Sequence, residues 1–436
     1  MTRTAHAVNV RRPIMRSRPL RPVVAAIDMG YGHLRAAAPL ADALGVPLLR
    51  MELPPLGGPV DARLWWRTRT FYEPLTRWSQ AGVAGAPLRA MLARITAIPD
   101  GAAHASTPTA GTRWMERAAR HGAGRALAAH LRETGAPLLS TFYAAPILAE
   151  LHGADRLHCV VTDADVNRIW APPDPARSRI RYCVPAEITR RRLEAYGVLP
   201  ERIRVTGFPL PDELVGGRGM EALKRNLASR LARLDPSGVL RGVAADLGPA
   251  PAERLPPLVT FAIGGAGAQA GLAADVVRAL ADSLRAGRLR LALVAGRRRD
   301  VSRKLHRAVA AANLAGNPAL ELLEERDTLV YLHAFNSLLA RTDVLWTKPS
   351  ELTFFAALGL PLVSAPPVGT HEERNLRWAM ELGAALPQGE PRRAAQWLVR
   401  WIEDGTLARA AWQGYQQLPK LGLYEILDEF AAAERS

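Results

Sequence analysis

The sequence predicts an α/β protein made of two parallel-sheet halves that face each other across a cleft. Three observations carry that expectation. The length, 436 residues, suggests two or three domains at about 150 residues each. Short apolar runs alternate with helix-patterned stretches, which is the rhythm of βαβ units and so of a parallel sheet. That rhythm runs twice, separated by a glycine- and proline-rich stretch over 216–257. Each half therefore reads as a Rossmann-like domain, with its chemistry in the loops that follow the strands.

The elements follow in order. Residues 1–21 form a basic arm with six arginines and no apolar core segment, so they do not make a signal peptide. The first half spans 22–215. Pro22–Ile27 is its opening strand, Asp28–His33 a tight turn, Leu34–Leu44 a helix and Val46–Met51 the next strand. Arginine- and tryptophan-rich helical segments interrupt the rhythm over 61–130. It resumes with strands at Pro137–Thr141, His158–Thr162 and Arg179–Val184, a helix through Tyr196 and a strand at Arg202–Thr206. A linker region, 216–257, holds a polar helix and ends at Leu255-Pro256-Pro257. The second half, 258–404, opens with the strand Leu258–Ile263 and a glycine loop, and C-terminal helices follow over 405–436.

Composition bounds the function. Hydrophobic residues at 48% and charged ones at 22% describe a soluble globular chain and exclude disorder and fibrous repeats. The net charge is +16, and only four of the 57 basic residues are lysines, which reads mainly as a compositional preference for arginine. No recognised nucleic-acid module accompanies the charge, so nucleic acid is not an expected partner. Cys159 and Cys183 lie in strand-like segments without metal or disulfide spacing, as buried thiols of a reducing, cytoplasmic compartment. No apolar stretch reaches the roughly 18–20 residues of a spanning helix.

Five loops carry candidate chemistry. In Phe261–Gln269, glycines between strand and helix let backbone N–H groups approach a phosphate, although neither Walker A nor GxGxxG spacing is present. In Thr347–Thr353, Ser350 is placed as a helix cap, with Glu351 either matching the helix dipole or accepting hydrogen bonds from a ribose diol. In Pro366–Asn375, His371-Glu372 matches half of HExxH, but Asn375 stands at the second histidine position, so zinc is unsupported. Gly30-Tyr31-Gly32-His33 sets an imidazole at a strand-to-helix turn, as a cap or a general base. Val161–Asp165 offers Asp163 and Asp165 as a cation chelate or as loop caps. Apart from these, Leu64–Tyr72 with Trp78 mixes rings and arginines, fitting a membrane interface or an ordinary amphipathic helix.

Together these loops resemble the GT-B fold glycosyltransferases, in the group that contains the diacylglycerol glycosyltransferases and the lipid II-forming N-acetylglucosaminyltransferase. The match runs in family order over 22–385: Gly30–His33 with Ala36-Ala37; Val161-Thr162-Asp163 with Trp170; and Tyr182–Glu187 leading to Gly197–Gly207. In the second half it is carried by Gly264-Gly265, Gly296-Arg297, Thr347–Pro349, Gly359–Pro361 and Gly369–Asn375. The resemblance implies that the second half binds a nucleotide-sugar donor, a UDP-sugar, as substrate, with no other cofactor and no metal. It assigns Gly264, Gly265, Arg297 and Lys348 to the diphosphate, and Glu372 and Asn375 to the sugar hydroxyls, with His371 in a glutamine position. Ser350 and Glu351 replace two glycines of the pattern, and its ribose-binding Glu falls within Phe354–Ala356, so Glu351 is the candidate ribose ligand. Asn167 replaces a histidine after Val-Thr-Asp, which leaves His33 as candidate catalytic base and Asp163 as second candidate. Gly30, Gly32, Trp65 and Trp66 fall on the acceptor side.

The expected activity is transfer of the sugar to an acceptor hydroxyl, inverting and metal-independent. The acceptor is a lipid or another hydrophobic molecule, reached by a cytoplasmic protein peripheral to an anionic membrane. Two other readings fit the same residues: a nucleotide-sugar epimerase on the same fold, and a non-catalytic nucleotide-sugar or membrane-surface binding protein.

Overall fold

The computed structural model describes residues 21–78, 107–249, 255–263, 271–367 and 370–435. It contains two six-stranded sheets, parallel throughout. The first comprises β1 (Val23–Ala26), β2 (Leu48–Arg50), β3 (Leu138–Ser140), β4 (Leu157–Val160), β5 (Arg181–Val184) and β6 (Ile203–Val205), in the order β2-β1-β3-β4-β5-β6. The second comprises β7 (Leu258–Ala262), β8 (Arg290–Gly296), β9 (Leu320–Glu324), β10 (Val344–Thr347), β11 (Leu362–Ser364) and β12 (Ala385–Pro387), in the order β12-β11-β10-β7-β8-β9. Two Rossmann-like domains thus face each other across a cleft, as the alternating pattern predicts.

The strand residues explain the architecture. Val-Val-Ala-Ala in β1, Leu-Val-Thr-Phe-Ala in β7 and Val-Leu-Trp-Thr in β10 are buried along their whole length. Such continuous runs suit strands covered by helices on both faces. Each sheet has one place where the strand order reverses direction, between β1 and β3 and between β7 and β10. Loops that leave a sheet at its reversal point in opposite directions open a crevice at the carboxyl ends of the strands. The long path from β2 to β3 carries the helices Pro59–Trp78, Ala110–Arg120 and Arg125–Thr134, where the arginine-rich segments were expected.

Two helices bind the halves together. Glu221–Leu234, the polar helix of the expected linker, packs on the second half. Its buried Arg230 donates Nε to the Thr342 carbonyl at 2.8 Å and Nη1 to the Leu358 and Gly359 carbonyls at 2.9 Å each. Arg233 holds the buried Asp343 just ahead of β10. The last helix, Gly422–Ala433, returns to the first half, where Glu434 accepts from His158 Nε2 at 2.8 Å and from Arg156. Glycine at 422 permits that return, because a Cβ there would overlap the Phe208 carbonyl. Cys159 and Cys183 are free and buried on β4 and β5, and burial pushes both thiols well up, Cys183 to about 12. They are inert at neutral pH.

Candidate functional site

The first wall of the crevice is built at the reversal point of the first sheet. Beyond β1 the chain runs through Asp28-Met29-Gly30, and Gly30, at φ 120°, turns it into the helix Tyr31–Leu44. His33, in the first turn of that helix, places Nδ1 2.7 Å from the carbonyl of Thr141, just beyond β3. A carbonyl only accepts, so Nδ1 carries the proton and Nε2 of the neutral ring carries the lone pair. Thr141 answers with Oγ1 donating to the His33 carbonyl at 2.8 Å. The imidazole also meets Phe142 edge-on, with centroids 5.0 Å apart, and lies 6.2 Å from Trp170. Desolvation among these groups lowers the His33 pKa to about 4, so the ring is neutral across physiological pH.

The other groups of this wall divide into structural and available ones. Asp163, after β4, has its carboxyl raised to about 6 by burial, then by Glu351, with Lys348 opposing and Asp165 adding to the rise. Asp165 does not join it as a chelate: Arg192 grips Asp165 at 2.9 and 3.0 Å, and Arg374 stands 3.8 Å away. Asn167 keeps a buried Oδ1 with no hydrogen-bond partner among the described residues. The adjacent tryptophans point apart. Trp65 is core, edge-on to Phe142 and Trp114, whereas Trp66 is 66% exposed. A shared interface role for both is thereby corrected, because neighbours on a helix are about 100° apart around its axis. The side chains of residues 71–78, Trp78 among them, are outside the described set.

The second wall is built after β10 and in the helix Thr370–Glu381. Lys348 Nζ donates to Glu372 Oε1 at 2.7 Å, and Glu372 is buried. Asn375, one turn along the same helix, is 4% exposed and its Oδ1 has no partner among the described residues. Ser350 does not cap the following helix. That helix begins at Leu352, and Glu351 occupies the cap position in the left-handed conformation, at φ 56°, without a side-chain cap bond. Its carboxylate turns to the other half instead, where Arg35 Nε donates to Oε1 at 2.6 Å. Arg35 is itself buried, bonded through Nη1 to Asn336 at 3.4 Å and seated 4.9 and 5.0 Å from the Phe335 and Phe354 rings. Gly32 lies against the Glu351 side chain.

Arg297 follows β8 and also reaches across: its Nη atoms stand 3.2–3.3 Å from the Asp28 carboxylate. Its backbone N–H donates to the Tyr31 hydroxyl at 3.0 Å. Gly264 and Gly265, the basic arm up to residue 20 and the side chain of His371 lie outside the described residues. Among the described residues, no three His, Cys, Asp or Glu side chains gather as a metal site, and no helix is long and apolar enough to cross a membrane.

The structure therefore brings His33, Asp163, Lys348, Glu351, Glu372 and Asn375 to the two facing walls, and it adds Asp28, Tyr31, Arg35, Thr141 and Asn336. Asp28 and Tyr31 lie in the turn Asp28–His33 and Thr141 ends the strand Pro137–Thr141, both read from the sequence, whereas Arg35 shows only as one charge inside the small apolar run Leu34-Arg35-Ala36-Ala37-Ala38.

No protein-family model matches the chain, and no curated protein sequence matches it. Among solved structures, it is similar to the glycosyltransferase SnogD from Streptomyces nogalater, with 14% identity, 95% of this chain and 99% of that chain covered, and a TM-score of 0.41. It is similar to a glycosyltransferase from Rickettsia africae ESF-5, with 10% identity, 95% and 99% coverage and a TM-score of 0.43. It is also similar to the UDP-GlcNAc 2-epimerase from Neisseria meningitidis bound to UDP-GlcNAc, with 11% identity, 75% and 83% coverage and a TM-score of 0.45. Likenesses this distant assign neither a family nor an activity. The two-domain architecture stands on the chain's own strand order.

Proposed function

We propose that this protein is a glycosyltransferase that moves a sugar from a nucleoside-diphosphate donor, a UDP-sugar, to an acceptor hydroxyl. The observation that carries the reading is the fixed tautomer of His33. Thr141 holds the Nδ1 proton, so Nε2 is a bare acceptor on the first wall, neutral and able to take a hydroxyl proton at pH 7. Asp163, with its raised carboxyl, is the second candidate for that role.

The opposite wall offers what a donor sugar needs. Lys348 and Glu372 form a held pair, and the orphan Oδ1 of Asn375 is satisfied when a sugar hydroxyl donates to it. Negative charge grows on the departing diphosphate as the sugar becomes oxocarbenium-like. Arg297 and the loop containing Gly264 and Gly265 are the groups assigned to that charge. A hydroxyl activated from the first wall attacks the face opposite the leaving group, which inverts the anomeric centre. The acceptor is a lipid or another hydrophobic molecule, with exposed Trp66 and the arginines beside it as the membrane-facing group.

The test is a product assay with UDP-sugars, with and without lipid acceptors. UDP release that depends on acceptor is expected, and C2 inversion without acceptor would replace the proposal with an epimerase. His33→Ala is expected to lower kcat by about 10²–10⁴ while UDP affinity is unchanged. Unchanged turnover would remove His33 as the base. Flotation with anionic liposomes tests the lipid acceptor, and equal recovery with neutral liposomes would favour a soluble one.

A further inference from the structure

Arg297, the guanidinium given above to the donor diphosphate, already holds an anion, and that anion belongs to the protein. Asp28 Oδ1 lies 3.3 Å from Nη1, and Oδ2 lies 3.2 Å from both Nη1 and Nη2. Asp28 sits two residues beyond β1 in the first half, and Arg297 sits just beyond β8 in the second. Tyr31, from the same turn as Asp28, fixes the approach by accepting the Arg297 N–H at 3.0 Å. Its hydroxyl occupies the space where a side chain at Gly296 would stand, and Gly296 has φ 64°.

Carboxylates and phosphates both accept from the planar donor fork of arginine, and one edge of that fork cannot serve both. Asp28 also has a second cation within its own half, since Arg50 Nη2 lies 3.3 Å from Oδ2. It can therefore give up Arg297 without becoming an uncompensated buried charge, although its side chain is only 7% exposed. We infer that Asp28 is a built-in competitor of the donor diphosphate: it occupies Arg297 in the empty cleft, yields it when the nucleotide enters, and so sets the donor affinity. This inference rests on the assignment of the diphosphate to Arg297.

UDP binding by calorimetry, with GDP and dTDP in parallel, tests it on the wild-type chain, Asp28→Asn and Arg297→Gln. Arg297 is 25% exposed, so the pair is of the modest, solvent-touched kind, and Asp28→Asn is expected to bind the nucleotide about fivefold more tightly. Arg297→Gln is expected to bind it more weakly than wild type. Equal or weaker binding by Asp28→Asn, with Arg297→Gln still impaired, overturns the inference alone. Arg297→Gln that binds like wild type overturns the phosphate assignment itself. Hydrogen exchange on the wild-type chain covers the case in which Asp28→Asn does not fold. On adding UDP, amides of residues 28–33 should exchange faster while those of 296–300 are protected. Protection of both segments together means that Asp28 stays in place, and the inference fails.

Discussion

Among the described residues, two of the ion pairs that join the first half to the second are made of different material. Arg35 and Glu351 meet at 2.6 Å, with side chains 1% and 16% exposed, inside a wall of phenylalanine rings. Asp28 and Arg297 meet at 3.2 Å, with the arginine 25% exposed and Arg50 beside the carboxylate. Separating the first pair leaves a guanidinium stranded among apolar groups; separating the second leaves each charge near water or another partner. One crossing therefore fixes the halves in register, and the other can exchange its partner. The fixed pair comes from a helix face and a helix cap, whereas the exchangeable one comes from the two loops nearest the proposed diphosphate position.

Breaking the fixed crossing should have the largest effect on stability. Glu351→Gln keeps the shape but removes the charge that balances Arg35. The expected loss is about 2–3 kcal/mol in urea unfolding, below the roughly 3–5 kcal/mol of a broken buried pair because the amide can still accept from Nε. UDP affinity should stay within about twofold. A large loss of affinity without a loss of stability would instead make Glu351 the ribose ligand that the family resemblance suggests.

The groups beside the crossings titrate with opposite signs, which sharpens the contrast within the first wall. His33 has a folded pKa of about 4, below its unfolded value near 6.5, so the unfolded chain binds more protons between those values. Its contribution to stability is present above pH 6.5 and is lost as the pH falls towards 4. Asp163 has a folded pKa of about 6, above its unfolded value of 3.8. Its contribution is present below pH 3.8 and is lost as the pH rises through 6. The two nearly cancel in the wild-type chain. Urea midpoints from pH 4.5 to 6.5 should fall with pH in His33→Ala and rise with pH in Asp163→Asn, by up to about 1.4 kcal/mol per pH unit for each group. Slopes of the same sign in both variants would refute the assigned shifts. The acid limb of kcat/KM then identifies the base, near pH 4 for His33 and near pH 6 for Asp163.

How far the sequence reaches follows from the same residues. β1, β7 and β10 are legible because strands buried on both faces must be continuous apolar runs, and the turns after them are marked by glycine and proline. His33 and Lys348 are legible because they sit in the helix after β1 and the turn after β10, and Glu372 and Asn375 because they sit in the helix that follows β11. The ion pairs are not. Arg35 and Glu351 are 316 positions apart and Asp28 and Arg297 are 269 apart, so no local spacing announces them. Ser350 reads as a cap because helix-start rules weigh residue type, whereas the chain enters that six-residue helix through a left-handed Glu351 whose side chain is drawn away by Arg35. In Glu221–Leu234 the buried face of Leu223, Leu227, Leu231 and Leu234 was present to be read, but the flanking glycines and prolines mark the stretch as a connector.

The smallest expected effect separates a binding residue from a structural one on the second wall. Lys348 and Glu372 are already mutually satisfied, while Asn375 buries an acceptor with no partner among the described residues. An unsatisfied buried acceptor contributes no net stability, so Asn375→Ala should unfold at an unchanged or slightly higher urea midpoint. If a sugar hydroxyl completes that group in the complex, the same substitution should weaken UDP-sugar binding by up to about tenfold, the equivalent of one hydrogen bond. Binding of UDP alone, which lacks the sugar, should not change. A loss of stability with no difference between UDP and UDP-sugar would make Asn375 a structural residue and move the sugar site away from this helix.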